Sequence, residues 1–312
     1  MIKLLSLFSG IGAFEKALEN IGIDYDLVNY CEIDKYASES YSLIHHVDES
    51  KNLQDVTKID TSKLPKDVDL ITYGFPCQDI SVAGKQKGFK DEQGNTTRSG
   101  LFFEALRIIE DTNPKIAVAE NVKALTGNKF KREFKTVLDS LSDAGYNSYW
   151  KVLNARDYGV PQNRERVFIV SIRKDIDSFL FSFNFPAPKL LDKKLEDFLE
   201  KNVSSYYDVT QPSMIKKLEQ GKLKVLGLKS PDEYCKTITT RQVRCPNAGV
   251  IDKGDGQYRY LTERECFRLM GFDDEDCELL KQNGLSIPQI YKQAGNSIVV
   301  NVLEELFKSI YH

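Results

Sequence analysis

Short apolar runs of strand length recur along the first half of the chain. They alternate with segments in which apolar residues return every three or four positions. The first run, Ile2-Lys3-Leu4-Leu5-Ser6-Leu7-Phe8, enters Ser9-Gly10-Ile11-Gly12-Ala13. Phe14, Ala17, Leu18 and Ile21 then mark one helix face that closes near Gly22. A second strand is expected over Tyr25-Asp26-Leu27-Val28-Asn29-Tyr30-Cys31, ending at Glu32, followed by a helix over 36–43. Further strands are expected over 70–73, 115–119, 149–153 and 166–172, and further helices over 101–111 and 130–144. Strands alternating with helices predict an α/β fold built on a doubly wound, Rossmann-like sheet.

The alternation fails after about Lys174. Pro186-Ala187-Pro188 reads as a linker, and 189–260 is less periodic, with turns at Pro246-Asn247-Ala248-Gly249 and Lys253-Gly254-Asp255-Gly256. Helical pattern returns at 262–270, and the apolar run 297–306 is expected to pack back onto the first domain. The expected division is therefore a domain of 1–185 plus 291–312 and a smaller one of 186–290.

With 312 residues, 41% hydrophobic and 29% charged, the composition is that of an ordinary globular protein. No apolar run approaches a membrane span, and Met1-Ile2-Lys3-Leu4-Leu5 lacks the shape of a signal peptide. Six cysteines without CxxC pairing and three histidines argue against a structural zinc site, so no metal is expected. A cytoplasmic location with reduced thiols follows. The net charge of −3 would disfavour a nucleic-acid partner, but 121–174 carries 11 Lys/Arg against 5 Asp/Glu, and 203–260 carries 10 against 6. Two basic segments are compatible with an anion-binding surface or with solvated helix faces.

The chemistry concentrates in four loops. Phe8-Ser9-Gly10-Ile11-Gly12 joins a strand to a helix, the setting of a nucleotide-type cradle, and Glu32 stands where an acid accepts hydrogen bonds from ribose hydroxyls. The third glycine of the dinucleotide fingerprint is absent, which disfavours NAD. Gly74-Phe75-Pro76-Cys77-Gln78 places a cysteine just past a strand end, behind a proline that fixes its approach. Glu120-Asn121-Val122 closes another strand, and Gln162-Asn163-Arg164-Glu165-Arg166 carries two arginines that point the same way if the backbone is extended. Taken singly, each has an ordinary explanation: a tight turn, a buried thiol, a helix cap, a surface ion pair. Their joint occurrence in this order has no such explanation.

Nearly the full length of the chain resembles the cytosine-C5 DNA methyltransferases of bacterial and phage restriction–modification type, which use S-adenosylmethionine. Phe8-x-Gly10-x-Gly12, Pro76-Cys77-Gln78, Glu120-Asn121-Val122 and Gln162-x-Arg164-x-Arg166 are similar to that family's motifs in family order. So are Leu261-Thr262-Glu263-Arg264-Glu265 with Arg268-Leu269-Met270-Gly271-Phe272, and Gln293-Ala294-Gly295-Asn296-Ser297. Departures are Ser6 for an acid, Ala13 for a glycine, Ile33 for an aromatic and Glu263 for a proline; they bear on the tightness of cofactor binding.

The resemblance implies a catalytic set of Cys77, Glu120, Arg164 and Arg166. It implies S-adenosylmethionine binding by Phe8, Gly10, Ile11, Gly12, Glu32, Ile33, Asp55, Val56, Pro76, Leu101 and Asn296. It also implies a target-recognition domain within 186–290. DNA contacts are expected from Gln78, Ser81, Lys85 and Gln86 in a loop over 79–99 that closes on an extruded base. Thr237, Arg241, Gln242, Arg244 and Asn247 are the candidate base readers, with Lys222, Lys224 and Lys229 on phosphates. The expected partner is double-stranded DNA, with an accompanying restriction endonuclease possible and a monomeric state expected. Competing expectations are a tRNA cytosine methyltransferase, a catalytically silent DNA-binding regulator and, weaker, a dinucleotide oxidoreductase.

Overall fold

The computed structural model describes residues 1–76, 98–180, 183–189, 191–227, 233–242 and 244–311. Cys77, Gln78, Ser81, Lys85, Gln86 and Lys229, with nearly all of the 79–99 loop, lie outside them.

In chain order the first elements are β1 (Ile2–Leu7), α1 (Ala13–Asn20), β2 (Tyr25–Cys31), α2 (Lys35–His45), β3 (Leu70–Tyr73), α3 (Phe102–Thr112), β4 (Ile116–Val122), α4 (Lys131–Asp143) and β5 (Tyr146–Asn154). They are followed by β6 (Gln162–Asn163), β7 (Glu165–Arg173) and α5 (Lys174–Leu180). Every strand and helix expected in this half forms, with bounds moved by a few residues. The six-stranded sheet has the order β2-β1-β3-β4-β7-β5. Strands β2, β1, β3 and β4 are parallel to one another, and β7 runs against β4.

The apolar periodicity explains the layers. Leu5 and Leu7 of β1 and Ile71 and Tyr73 of β3 share one face and pack with Phe102, Ala105, Ile108 and Ile109 of α3 and Val137 and Leu141 of α4. Helix α2 starts where Asp34 accepts hydrogen bonds from the main-chain nitrogens of Tyr36 (3.0 Å) and Ala37 (3.2 Å). It stops at His46, whose φ of 53° is left-handed.

The chain divides into two compact units. Unit 1 comprises residues 1–153, 165–186 and 306–312, and unit 2 comprises 154–164 and 187–305. The expected linker at 186 coincides with a boundary, while 154–164 and 291–305 group with unit 2.

Unit 2 contains α6 (Pro212–Glu219), β8 (Val225–Leu226), β9 (Cys235–Lys236), β10 (Val250–Gly254), β11 (Gln257–Arg259), α7 (Glu263–Arg268), α8 (Asp274–Gln282) and α9 (Ile287–Asn296). Strand β6 pairs with β9, and β8, β10 and β11 form a three-stranded sheet. Helix α7 opens on a capping box in which Thr262 and Glu265 satisfy each other's main-chain nitrogens. Glu265 also receives Arg259 through two bonds of 2.9 and 2.8 Å, a buried bidentate pair that ties the hairpin to the helix. Helix α10 (Val300–Tyr311) begins later than the apolar run at 297 because Ser297 is extended and ends α9. Its last six residues belong to unit 1, where Phe307 packs edge-on against Phe14 with ring centroids 6.2 Å apart.

Candidate active site

In an open parallel sheet the loops at the carboxyl ends of the strands diverge where the strand order reverses, and a crevice opens there. Here β1 sits between β2 and β3, so the reversal falls at the loops after β1 and β3. The first is the glycine-rich loop and the second is Gly74-Phe75-Pro76, which leads into Cys77.

Register determines what stands beside that second loop. Tyr73 of β3 pairs with Ala119 of β4, so Glu120 lies level with Gly74. A methyl group on Gly74 would sit 3.8 Å from Glu120 Oε2. Asn121 fastens the two loops together, donating through Nδ2 to the Phe75 carbonyl at 3.0 Å while its own Oδ1 accepts the Val122 nitrogen at 2.8 Å. Because β7 is antiparallel, it begins rather than ends at this edge, and Val122 pairs with Arg166. Arg166 Nε accordingly meets Glu120 Oε1 at 2.9 Å, with both side chains largely enclosed. Its Nη1 donates to the Glu165 carbonyl at 2.9 Å. Thus the candidate acid and one candidate arginine are brought together beside the loop of the candidate nucleophile.

On the other side of the reversal, Gly10 (φ 57°) and Gly12 (φ 79°) both adopt left-handed backbone that favours glycine. Glu32 Oε2 accepts the Gly10 nitrogen at 2.9 Å and Oε1 accepts the Asp34 nitrogen at 2.8 Å. Burial pushes the Glu32 carboxyl above the ordinary range, with the main-chain bonds from Asp34 and Gly10 opposing. Asn52 braces this acid from behind, taking the Glu32 nitrogen on Oδ1 (3.0 Å) and giving Nδ2 to its carbonyl (2.9 Å). Nothing in the sequence pattern singled Asn52 out.

Ile33 is 75% exposed, Phe8 is half-buried with a φ of 53°, and Pro76 and Leu101 are half-buried. Asp55 lies past the end of β2, where the Cys31 thiol donates to the Gln54 carbonyl. The hydroxyl and main-chain nitrogen of Thr57 hold the Asp55 carboxyl below the usual carboxylate range. Ile11 and Val56 lie in the core.

Arg164 departs from its expected geometry. The backbone is not extended through it: its nitrogen bonds to the Gln162 carbonyl (3.0 Å) and Asn154 Oδ1 (3.1 Å), and its carbonyl accepts the Ala155 nitrogen (3.1 Å). The side chain, 3% exposed, lies within unit 2. Nη1 donates to the Ile238 carbonyl at 2.9 Å, and Nη2 donates to those of Gly295 (3.1 Å) and Ser297 (2.5 Å). Gln162 reinforces this clasp, accepting the Ile238 nitrogen at 3.0 Å and donating to the Leu269 carbonyl at 2.8 Å. These bonds give Arg164 a positioning role within unit 2, beside the role expected of it on substrate. Gly295 fits the same junction because a side chain there would lie 2.3 Å from the Thr239–Thr240 main chain. Asn296, the last residue of α9, is exposed beside it.

Among the candidate base readers, Arg241, Arg244 and Asn247 are exposed and Thr237 is half-buried. Thr237 Oγ1 is held by the Asn163 carbonyl at 2.8 Å, and Asn247 Nδ2 donates to the Thr237 carbonyl at 2.7 Å. Gln242 is corrected. It is fully buried, accepts the Ala248 nitrogen at 3.3 Å and faces the Gly249 carbonyl, so it shapes its own turn. The Lys224 ammonium pairs with Glu233 at 2.7 Å and lies 4.1 Å from the Tyr234 ring centre. Lys222 is exposed.

A family model described as C-5 cytosine-specific DNA methylase matches residues 2–312. This chain belongs to the C-5 cytosine-specific DNA methylases. Among similar proteins, the orphan methyltransferase M.SPRI of Bacillus phage SPR is 33% identical, covering 100% of this chain and 98% of the relative. The type II methyltransferase M.HhaI of Haemophilus parahaemolyticus is also 33% identical, covering 99% and 94%. The crystal structure of the S. pombe Dnmt2 methyltransferase shares the fold of this methylase at a TM-score of 0.75 and 23% identity, with 99% and 97% covered. No helix among the described residues of the methylase is long and apolar enough to cross a membrane, and these residues hold no cluster of three or more metal-ligating side chains.

Proposed function

We propose that this methylase is a sequence-specific DNA (cytosine-5-)-methyltransferase that extrudes one cytosine from duplex DNA and methylates it at C5. The observation that carries this assignment is the Glu120–Arg166 pair, locked beside the Gly74-Phe75-Pro76 loop from which Cys77 follows directly.

The donor set near Gly10 suits S-adenosylmethionine. Each Glu32 oxygen spends one hydrogen bond on main chain, and a carboxylate oxygen has capacity for a second, here a ribose hydroxyl. The space ahead of Gly10 is clear to 4 Å from a would-be Cβ, and Ile33 offers an exposed apolar flank for an adenine ring. Glu32 and Asp55 supply negative charge for a sulfonium. When bound, the cofactor supplies an electrophilic methyl group.

Cytosine C5 is a weak nucleophile and has to be activated. In the proposed sequence the Cys77 thiolate forms a bond to C6, and the displaced electron pair moves through the ring toward N3. Glu120 holds a proton at N3 and neutralises the charge developing there. Arg166 fixes the carboxyl through Oε1, so that Oε2, the oxygen nearer Gly74, faces the ring. The same guanidinium is proposed to hold the cytosine O2. C5, now enamine-like, takes the methyl group. Loss of the C5 proton to a base such as water returns the electron pair, breaks the S–C6 bond and releases Cys77. Unit 2 is proposed to read the site, with Arg241, Arg244 and Asn247 meeting bases and Lys222 meeting phosphate.

The assignment is tested by bisulfite sequencing of duplex DNA treated with protein and S-adenosylmethionine. Protected cytosines confined to one short motif are expected. Protection absent from every duplex but present in tRNA would replace DNA with RNA as substrate. Glu120→Gln should lower the methyl-transfer rate by about 10²-fold with cofactor affinity retained, the low end of what a positioned acid contributes. An unchanged single-turnover rate would remove Glu120 from the scheme.

A further inference from the structure

Helix α2 ends beneath the glycine-rich loop, and its last residue turns its side chain inward there. The His45 side chain is wholly enclosed. Its Nε2 meets the Ile11 carbonyl at 3.1 Å and its Nδ1 meets Glu19 Oε1 at 3.0 Å. A carbonyl and a carboxylate oxygen both accept, so satisfying both requires a proton on each ring nitrogen. The ring also fills the space that a side chain at position 12 would need. A Cβ on Gly12 would lie 2.0 Å from His45 Nε2 and 2.6 Å from Cδ2. The imidazole thus adds a second demand for glycine at position 12 to that of its left-handed φ, whereas Gly10 has open space before it.

We infer that His45, with both ring nitrogens protonated, is a positioning residue that sets the Ile11–Gly12 turn and thereby the affinity of the loop for S-adenosylmethionine. The inference rests on the proposed assignment of that loop to the cofactor. His45 is an acid-base group acting through the Ile11 carbonyl.

The surroundings favour the charged ring. From α1, Glu15 is fully buried and Glu19 is bonded directly. From α2, the Tyr41 ring lies 4.8 Å from the imidazole at 50°, and it stacks in turn on Tyr30 of β2 at 4.0 Å. Tyr25 of β2 donates its hydroxyl to Glu19 Oε1 at 2.6 Å, and Lys16 acts on Glu19 from the helix surface. Burial works against a charge on His45. The Glu19 bond, the charges of Glu15 and Glu19 and the Ile11 carbonyl outweigh it and raise its pKa above 6.5. Burial raises the Glu15 carboxyl too, with His45, Ser6 and Tyr41 pulling the other way.

A histidine raised in the folded state gives its full support below its ordinary value of 6.5 and loses it as pH rises through the elevated one. On losing a proton the ring keeps the bond to the charged Glu19 and presents a lone pair to the Ile11 carbonyl, so the hold on the turn is the contact that fails.

The test is calorimetric titration of the full chain with S-adenosylmethionine across pH, with two variants. Wild-type affinity should fall about tenfold between about pH 6 and pH 9, the size of one charge-assisted hydrogen bond. His45→Gln keeps an N–H for Ile11 but does not titrate, and its affinity should be level across that range. His45→Phe fills the space without a donor and should bind about tenfold more weakly even at the acid end. Wild-type affinity in His45→Phe, or the wild-type pH profile in His45→Gln, would overturn the inference and leave the cofactor assignment standing. If the variants do not fold, imidazole nitrogen NMR of the wild type decides: two ring N–H groups at pH 6.5 support the inference and a neutral ring overturns it. A wild type that binds no S-adenosylmethionine at any pH would overturn the cofactor assignment itself, and this inference with it.

Discussion

Cys77→Ala protein should bind duplex DNA and S-adenosylmethionine yet transfer no methyl groups, a loss on the order of 10⁶-fold as for other enzymes stripped of a nucleophile. The loss is so large because Glu120 and Arg166 only polarise the ring. Without a bond at C6 there is no electron pair for C5 to use. A second readout follows from the last step. With fluorine in place of hydrogen at cytosine C5 there is no proton to remove, so the S–C6 bond persists and wild-type protein should remain on the DNA through a denaturing gel. Cys77→Ala should leave no such band. Methylation by the alanine variant, or a persistent adduct with it, would move the nucleophile elsewhere.

Arg164→Ala should cost about 3–5 kcal/mol of stability, because it strips the partner from the buried carbonyls of Ile238, Gly295 and Ser297 and opens a void among them. Arg164→Lys should recover only part, since one ammonium cannot reproduce a planar fork directed at three acceptors. Denaturant unfolding of both variants, followed by a probe in unit 2, measures this. A stability within about 1 kcal/mol of wild type with methyl transfer abolished would leave Arg164 with the role on substrate alone.

The sheet was legible because β1, β3, β4 and β7 carry buried apolar runs, and the register then needs little else to set Glu120 beside Gly74. The condition set for Arg164 and Arg166 to share a face is not met, for a definite reason. Residues two apart share a face only while the chain stays extended, and at Arg164 the main chain turns aside to Asn154 and Ala155. Gln242 was assigned by side-chain type alone, which carries no information about burial in an aperiodic segment; it is buried with its amide spent on its own turn. His45 and Asn52 act on main-chain atoms of residues far off in sequence, Ile11 and Glu32, so no local pattern could have pointed to them. Gly12 alone held a trace of His45: a glycine there admits a left-handed φ, and the structure adds that an imidazole fills the space a side chain would need.

The order in which the chain is made gives the last helix a consequence. Phe14 belongs to the first helix synthesised, but the ring it packs against, Phe307, leaves the ribosome only after all of 187–305 has been made. Until then Phe14 lacks this partner. The packing of the last helix against the first is thus delayed until the unit proposed to choose the target has been made. A chain that ends before Phe307 would leave Phe14 without the ring it packs against.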